Sequence, residues 1–210
     1  MEAVGRDDRI RAVRIGSRYE LLDTIFGAGI NSADVELAKG VGWFNASDEN
    51  DPELTRLQGD PTFFKLTAAL QRLQRITNSV NLLVGVSGQW AAQPLLSSEE
   101  FGVGGINSGR GYDPSEITGD DGIAGKAELR WYQPYKIEYV SDYQLYGFYD
   151  VGRVWNKDAT TSAGKIDSLA SVGLGVRADL FDGTTQAGVG VAVPLTREVQ
   201  TESDTAPRYY

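Results

Sequence analysis

The apolar residues of this chain recur at every second position, and they do so over long stretches. In "SLASVGLGVRADLF", Val172, Leu174, Val176, Ala178 and Leu180 share one face of an extended chain. Ser171, Gly173, Gly175, Arg177 and Asp179 share the other. The same parity sets Val189, Val191, Val193 and Leu195 against Gly188, Gly190, Ala192 and Pro194. It also sets Ala127, Leu129 and Trp131 against Lys126, Glu128 and Arg130, and Val80, Leu82, Val84 and Val86 against Asn81, Leu83, Gly85 and Ser87. A period of two is the signature of strands with unlike faces. It predicts eight strands at 9–22, 25–41, 62–76, 79–92, 122–133, 137–155, 167–181 and 184–197, with a ninth opening at "PRYY". The third also places Phe63, Leu66, Leu70 and Leu73 at helical spacing. Its neighbours make it a strand.

The connections alternate in length. "LDT", "TNS", "PYK" and "FDG" are tight turns, whereas 42–61, 93–121, 156–166 and 198–206 are long and polar. Short turns at one end and long loops at the other describe an up-and-down antiparallel meander, the habit of outer-membrane barrels. The strands exceed the five or six residues that are about the soluble norm. Their polar faces mix both charges with glycine, as Arg14, Arg18 and Glu20 show, and this suits a wet lumen. Trp131, Tyr132, Tyr135 and Trp155 lie near strand ends, where interfacial girdles form. A soluble β-sandwich binding module, with the apolar face turned into a core, is the alternative.

Composition agrees with a β fold rich in turns: 25 Gly and 10 Tyr, with a single Met. No apolar run is long enough for a transmembrane helix. The opening "MEAVGRDDRI" is charged and does not read as a signal peptide. A net charge of -9 argues against a nucleic-acid partner. With no Cys and no His, zinc sites built on them are excluded, as is any Cys or His general base.

Function concentrates in the longest loop, "FGVGGINSGRGYDPSEITGDDG". Its Arg110, if buried, needs an acceptor. "GFYDVGRVW" offers one. Phe148, Asp150 and Gly152 share the lumenal face of that strand, and a mid-strand aspartate is unfavourable unless paired. Taken singly, a glycine-flanked arginine is a turn residue and a lone strand aspartate a bulge or edge residue. No cofactor signature is present, because a dinucleotide fingerprint after Gly102 and Gly104 would need glycine where Asn107 stands. Asp113, Glu116 and "GDD" at 119–121 match no calcium-loop spacing, and Asp48, Glu49, Asp51 and Glu53 read as a solvated loop. Glu128 and Asp150 could be drawn as a glycosidase pair, but Arg110 and Arg130 would keep both ionised, so no catalytic residue is assigned.

The loop segment Gly109-Arg110-Gly111-Tyr112 resembles the [VL]-R-G-[FY] motif of the bacterial outer-membrane assembly and translocation superfamily. Phe148, Asp150 and Gly152 fit its F-x-D-x-G pattern, and "GKAELRW" looks like the intervening strand of the two-partner secretion translocators, the ShlB/FhaC/HecB haemolysin secretion/activation family. The resemblance implies an all-β transmembrane barrel of about sixteen strands, with the loop folded into the lumen. It implies that Arg110 pairs with Asp150, with Glu128 as third member. By that count residues 1–210 supply about eight strands, the C-terminal half, with loop 93–121 between the eleventh and twelfth. The periplasmic POTRA domains, plug helix and signal peptide are expected to be absent, and the last strand cut at Tyr210. The implied function is export of a partner exoprotein of haemolysin or adhesin type. Outer-membrane lipid surrounds such a barrel, and the barrel assembly machinery inserts it. An insertase of the same superfamily is the alternative. The residue before Arg110 is Gly109 where the family prefers Val or Leu, which predicts weaker apolar anchoring of the loop.

Overall fold

The computed structural model describes residues 6–49, 51–133, 140–158, 165–181, 184–201 and 204–210. Its main feature is one antiparallel sheet. In chain order the strands are β1 (Ala12–Asp23), β2 (Gly29–Gly40), β3 (Phe64–Arg75), β4 (Val80–Ala91), β5 (Phe101–Val103), β6 (Ile117–Gly119), β7 (Asp121–Tyr132), β8 (Val140–Trp155), β9 (Ile166–Leu180), β10 (Thr185–Pro194) and β11 (Arg208–Tyr209). The sheet runs β1-β2-β3-β4-β7-β8-β9-β10-β11, and β5 pairs with β6 in a separate hairpin. Apart from that hairpin every strand neighbours the next in sequence, the meander that the alternating loop lengths imply. β3 is a strand along its whole length, despite its helical spacing.

Several strands are shorter than the alternation suggests. β1 begins at Ala12 because the residues before it bond to a loop: Asp7 N donates to Glu53 O at 2.8 Å and Ser47 N to Arg9 O at 2.9 Å. The turn expected at "LDT" is wider, spanning 24–28, where the Asp23 carboxylate accepts Ile25 N and Gly27 takes φ 91°. "TNS" is tight, with Thr77 Oγ accepting from Ser79 N and Val80 N. "PYK", residues 137–139 and most of "FDG" lie outside the described residues. β10 ends at Pro194, and one further bond follows it, from Leu195 N to Ala170 O of β9 at 2.8 Å.

The two faces differ as their parity requires. Val13, Ile15, Leu70, Val84, Leu129, Val151, Leu174 and Val189 are all exposed, Leu174 at 63%. Among the described residues nothing packs over this surface, and a water-soluble domain leaves no apolar area so extended. The opposite face carries the loops and the buried residues. Trp131 and Trp90 project from the apolar side near opposite strand ends, Trp90 edge-on to Phe64 at 6.4 Å. Tyr132 is a correction: it turns to the polar face with Arg177 and Tyr146, so it is no member of an apolar girdle. Tyr135 lies outside the described residues.

Candidate functional site

The long loop is more ordered than its glycines suggest. It makes a single 3-10 turn at Ser97–Glu99, enters the β5–β6 hairpin, and sends a tongue, residues 104–116, across the polar face. Val103, Tyr112 and Ile117 of the loop bury themselves with Ala124 of β7, Val154 of β8, Leu169 of β9 and Val199. This cluster is the main apolar core on that face. It overturns the expectation of weak anchoring at Gly109. Gly109 takes φ 141°, and a Cβ there would lie 3.0 Å from Leu169 Cδ1 and 3.1 Å from Gly104 Cα. The apolar mass that a Val or Leu would bring is supplied from the wall by Leu169, and a side chain at 109 would be strained at this φ and tight against it.

The tongue delivers Arg110 to β7 and β8. Its Nε donates to Asp150 Oδ2 and its Nη2 to Asp150 Oδ1, both at 2.9 Å. Its backbone N reaches Oδ2 at 3.1 Å, and its Nη1 donates to Glu128 Oε2. Asp150 is fully buried and Glu128 nearly so. A planar guanidinium meeting a carboxylate through two parallel bonds is among the stronger ion-pair geometries. The guanidinium also stacks over Phe148, 3.4 Å from the ring centre. Phe148 and Asp150 thus hold the same cation by its face and its edge.

The other motif residues act through shape. A Cβ on Gly152 would collide with Val103, so this glycine is the recess that receives the hairpin. Gly111 crosses close to the wall, where a Cβ would lie 2.9 Å from Ser171 Cβ and 3.0 Å from Pro194 N. Tyr112 Oη donates to Ala170 O at 3.1 Å and accepts from Thr196 N at 3.3 Å, tying the tongue to the ends of β9 and β10.

Four participants escape a motif reading. Arg177 of β9 binds Glu128 through Nη1 at 2.9 Å and Nη2 at 3.3 Å, and lies 3.9 Å over Tyr146. Arg130 Nε donates to the same carboxylate at 2.8 Å. Tyr146 stacks on Phe148 at 6.4 Å, and Tyr210 meets Phe148 edge-on at 6.3 Å. These rings need bare strands beneath them. Phe148 lies on Gly173, Tyr146 on Gly175 and Tyr210 on Gly190, the first two being directly opposed residues of β8 and β9. The available signal was parity, because Arg177 and the glycines of β9 fall on the polar face.

A second ionic cluster sits at the loop end of the sheet. Arg56 Nη1 donates to Glu100 Oε1 and Asp120 Oδ1, both at 2.7 Å, and to Leu95 O at 2.8 Å. Its Nη2 meets Asp158 at 2.5 Å. One side chain so joins three loops. Burial works against the Arg56 charge, but the hydrogen bonds it donates to Asp120 and Asp158 outweigh it and its pKa is raised. Burial pushes the Glu100 carboxyl up, against the pull of Arg56 and with help from Asp120. The acidic residues whose spacing matches no calcium loop disperse among protein partners: Asp120 to Arg56, Asp121 to Lys157, Asp113 to Arg208, and Glu116 to Gln200 N.

A one-layer antiparallel wall, apolar outside and polar inside, with a loop pinned to its inner face, defines a membrane β-barrel protein. The family of haemolysin secretion/activation proteins ShlB/FhaC/HecB matches residues 9–178, and the chain belongs to it. Its sheet is placed in the outer membrane. It is 27% identical over 127 residues to the outer membrane transporter CdiB of Dickeya dadantii, covering 60% of this chain and 22% of that protein. It is 24% identical over 196 residues to the heme/hemopexin transporter protein HuxB of Haemophilus influenzae, covering 93% of this chain and 32% of that one. The fold is similar to the solved CdiB from Escherichia coli, with a TM-score of 0.74 at 20% identity, over 91% of this chain and 34% of the other. The chain spans about a third or less of the length of these relatives.

Proposed function

We propose that this chain forms the C-terminal half of an outer-membrane pore that passes a partner exoprotein of haemolysin or adhesin type from periplasm to surface. The inner wall is the conduit, and the tongue is its internal gate. The observation that carries this reading is the hold on Arg110 by Asp150, Glu128 and Phe148. A loop docked on the wall by Arg110 and by the buried cluster around Tyr112 has a discrete inward position, and release of both gives the second position a gate requires. The mixed-charge, glycine-rich wall suits an unfolded cargo, because it offers no segment a strong resting place. Lipid contacts the exposed apolar face, and the barrel assembly machinery meets the protein during insertion.

The test is secretion of the partner exoprotein by bacteria carrying Arg110→Ala or Asp150→Ala. Removing one member of a buried charged pair costs about 3 kcal/mol. We expect assembled barrel with a protease-sensitive loop and export changed about tenfold or more. Unchanged export and unchanged loop protection in both variants would rule the gate out.

A further inference from the structure

Asp150 has two neighbours that it does not use. Lys126 of β7 stands directly opposite it in the ladder, and Ser171 of β9 stands directly opposite on the other side. Directly opposed residues share a face and have Cβ atoms about 5 Å apart. Both side chains can therefore reach the carboxylate. Neither does.

Lys126 instead lies flat across β4, its Cε 3.2 Å from where a Cβ of Gly85 would be. Among the described residues it forms no ion pair or hydrogen bond, and it opens onto a cavity of about 380 Å³ lined also by Asn107 of the tongue. Ser171 is fully buried and its Oγ has no hydrogen-bond partner among the described residues. A cation and a hydroxyl donor thus flank Asp150 without being spent on it. The tongue explains this. Arg110 takes both carboxylate oxygens, and Gly111 passes directly over Ser171.

The remaining cations are placed unevenly. Arg130 and Arg177 both serve Glu128, so Glu128 keeps two partners without Arg110. Asp150 keeps none of its present ones. A carboxylate left unpaired in a crowded interior is costly.

We propose that Lys126 and Ser171 are the second partner set of Asp150, engaged when the tongue leaves the wall. In the tongue-out state Lys126 swings from Gly85 to the Asp150 carboxylate, and Ser171 Oγ, uncovered by Gly111, donates to it. The wall has a complete ionic arrangement with the tongue in and another with it out. Lys126 is therefore a positioning residue that sets the balance between them. This rests on the gate reading above, and the test separates the two.

These 210 residues hold no cysteine, so Asn107→Cys at the tongue tip adds the one thiol among them, and its labelling is read against the protein without it. Its labelling by a membrane-impermeant maleimide, on the protein in the outer membrane of its host, reads exposure of the tongue. Heat-modifiable migration confirms a folded barrel in each variant. With the gate reading sound, Arg110→Ala raises labelling. On that footing Lys126→Gln, which strands Asp150 when the tongue is out, lowers labelling about tenfold, and Lys126→Arg restores it. In an Asp150→Asn background Lys126→Gln has no further effect. If Arg110→Ala raises labelling but Lys126→Gln leaves it unchanged or raises it, the role of Lys126 is refuted and the gate stands. If Arg110→Ala leaves labelling unchanged, both readings fall.

Discussion

At the scale of single residues, the motif glycines are recesses and conformational permits. Gly152 makes room for Val103, and Gly109 adopts φ 141° against Leu169. Gly109→Val would install the residue the resembling motif prefers, yet it is expected to destabilise this protein. A β-branched residue at positive φ costs about 1–3 kcal/mol, before any collision with Leu169. Proteolysis of the tongue on whole cells should show it loosened, with Leu169→Ala partly restoring it. The Arg110–Asp150 partnership was legible from the two motifs taken together: singly the arginine reads as a turn residue and the aspartate as a bulge or edge residue. The sequence could not show Leu169 standing in for the absent valine, since that exchange crosses from loop to wall and leaves no local trace.

At the scale of elements, the strands were legible and the loops were not. Parity gives a strand's faces without reference to its neighbours, so β4, β7 and β9 could be drawn from the residues alone. The β5–β6 hairpin spans three residues a side, too few for any period to register. Arg56 was equally hidden, because its three carboxylates come from segments far apart in sequence. Arg56→Ala should leave the buried Asp120 without its cation, at about 3 kcal/mol, and expose all three loops to protease together. Glu100→Gln should act the other way. The folded pKa of Glu100 is raised, so the stability tied to it is complete below the unfolded value and is lost as pH rises through the folded one. The glutamine variant is spared that loss. Amide exchange of the loops should slow in it at about pH 7 and match the unaltered protein at about pH 4.

At the scale of the whole molecule, the sheet has two open margins among the described residues. β1 is unpaired along its outer edge, and β11 with Tyr210 covers Gly190, Val191 and Ala192 of β10 and leaves the rest of that strand's edge bare. Expressed as 210 residues alone, the chain is expected to associate through these margins in detergent, which sedimentation would reveal as dimers or larger species. A stable monomer would be the contrary result. The inner wall carries a further implication. Glu128, Asp150 and Arg177 sit on three adjacent strands and meet only in the observed register. A slip of one residue in any strand would turn its charge outward into hydrocarbon and present the tongue with an apolar residue in its place. Glu128→Leu with Asp150→Leu should therefore tolerate misaligned wall, seen as a smaller heat-modifiable fraction. The charges that hold the tongue thus also serve as a parity check on assembly, since a wall zipped on the wrong count has nothing with which to grip its own loop.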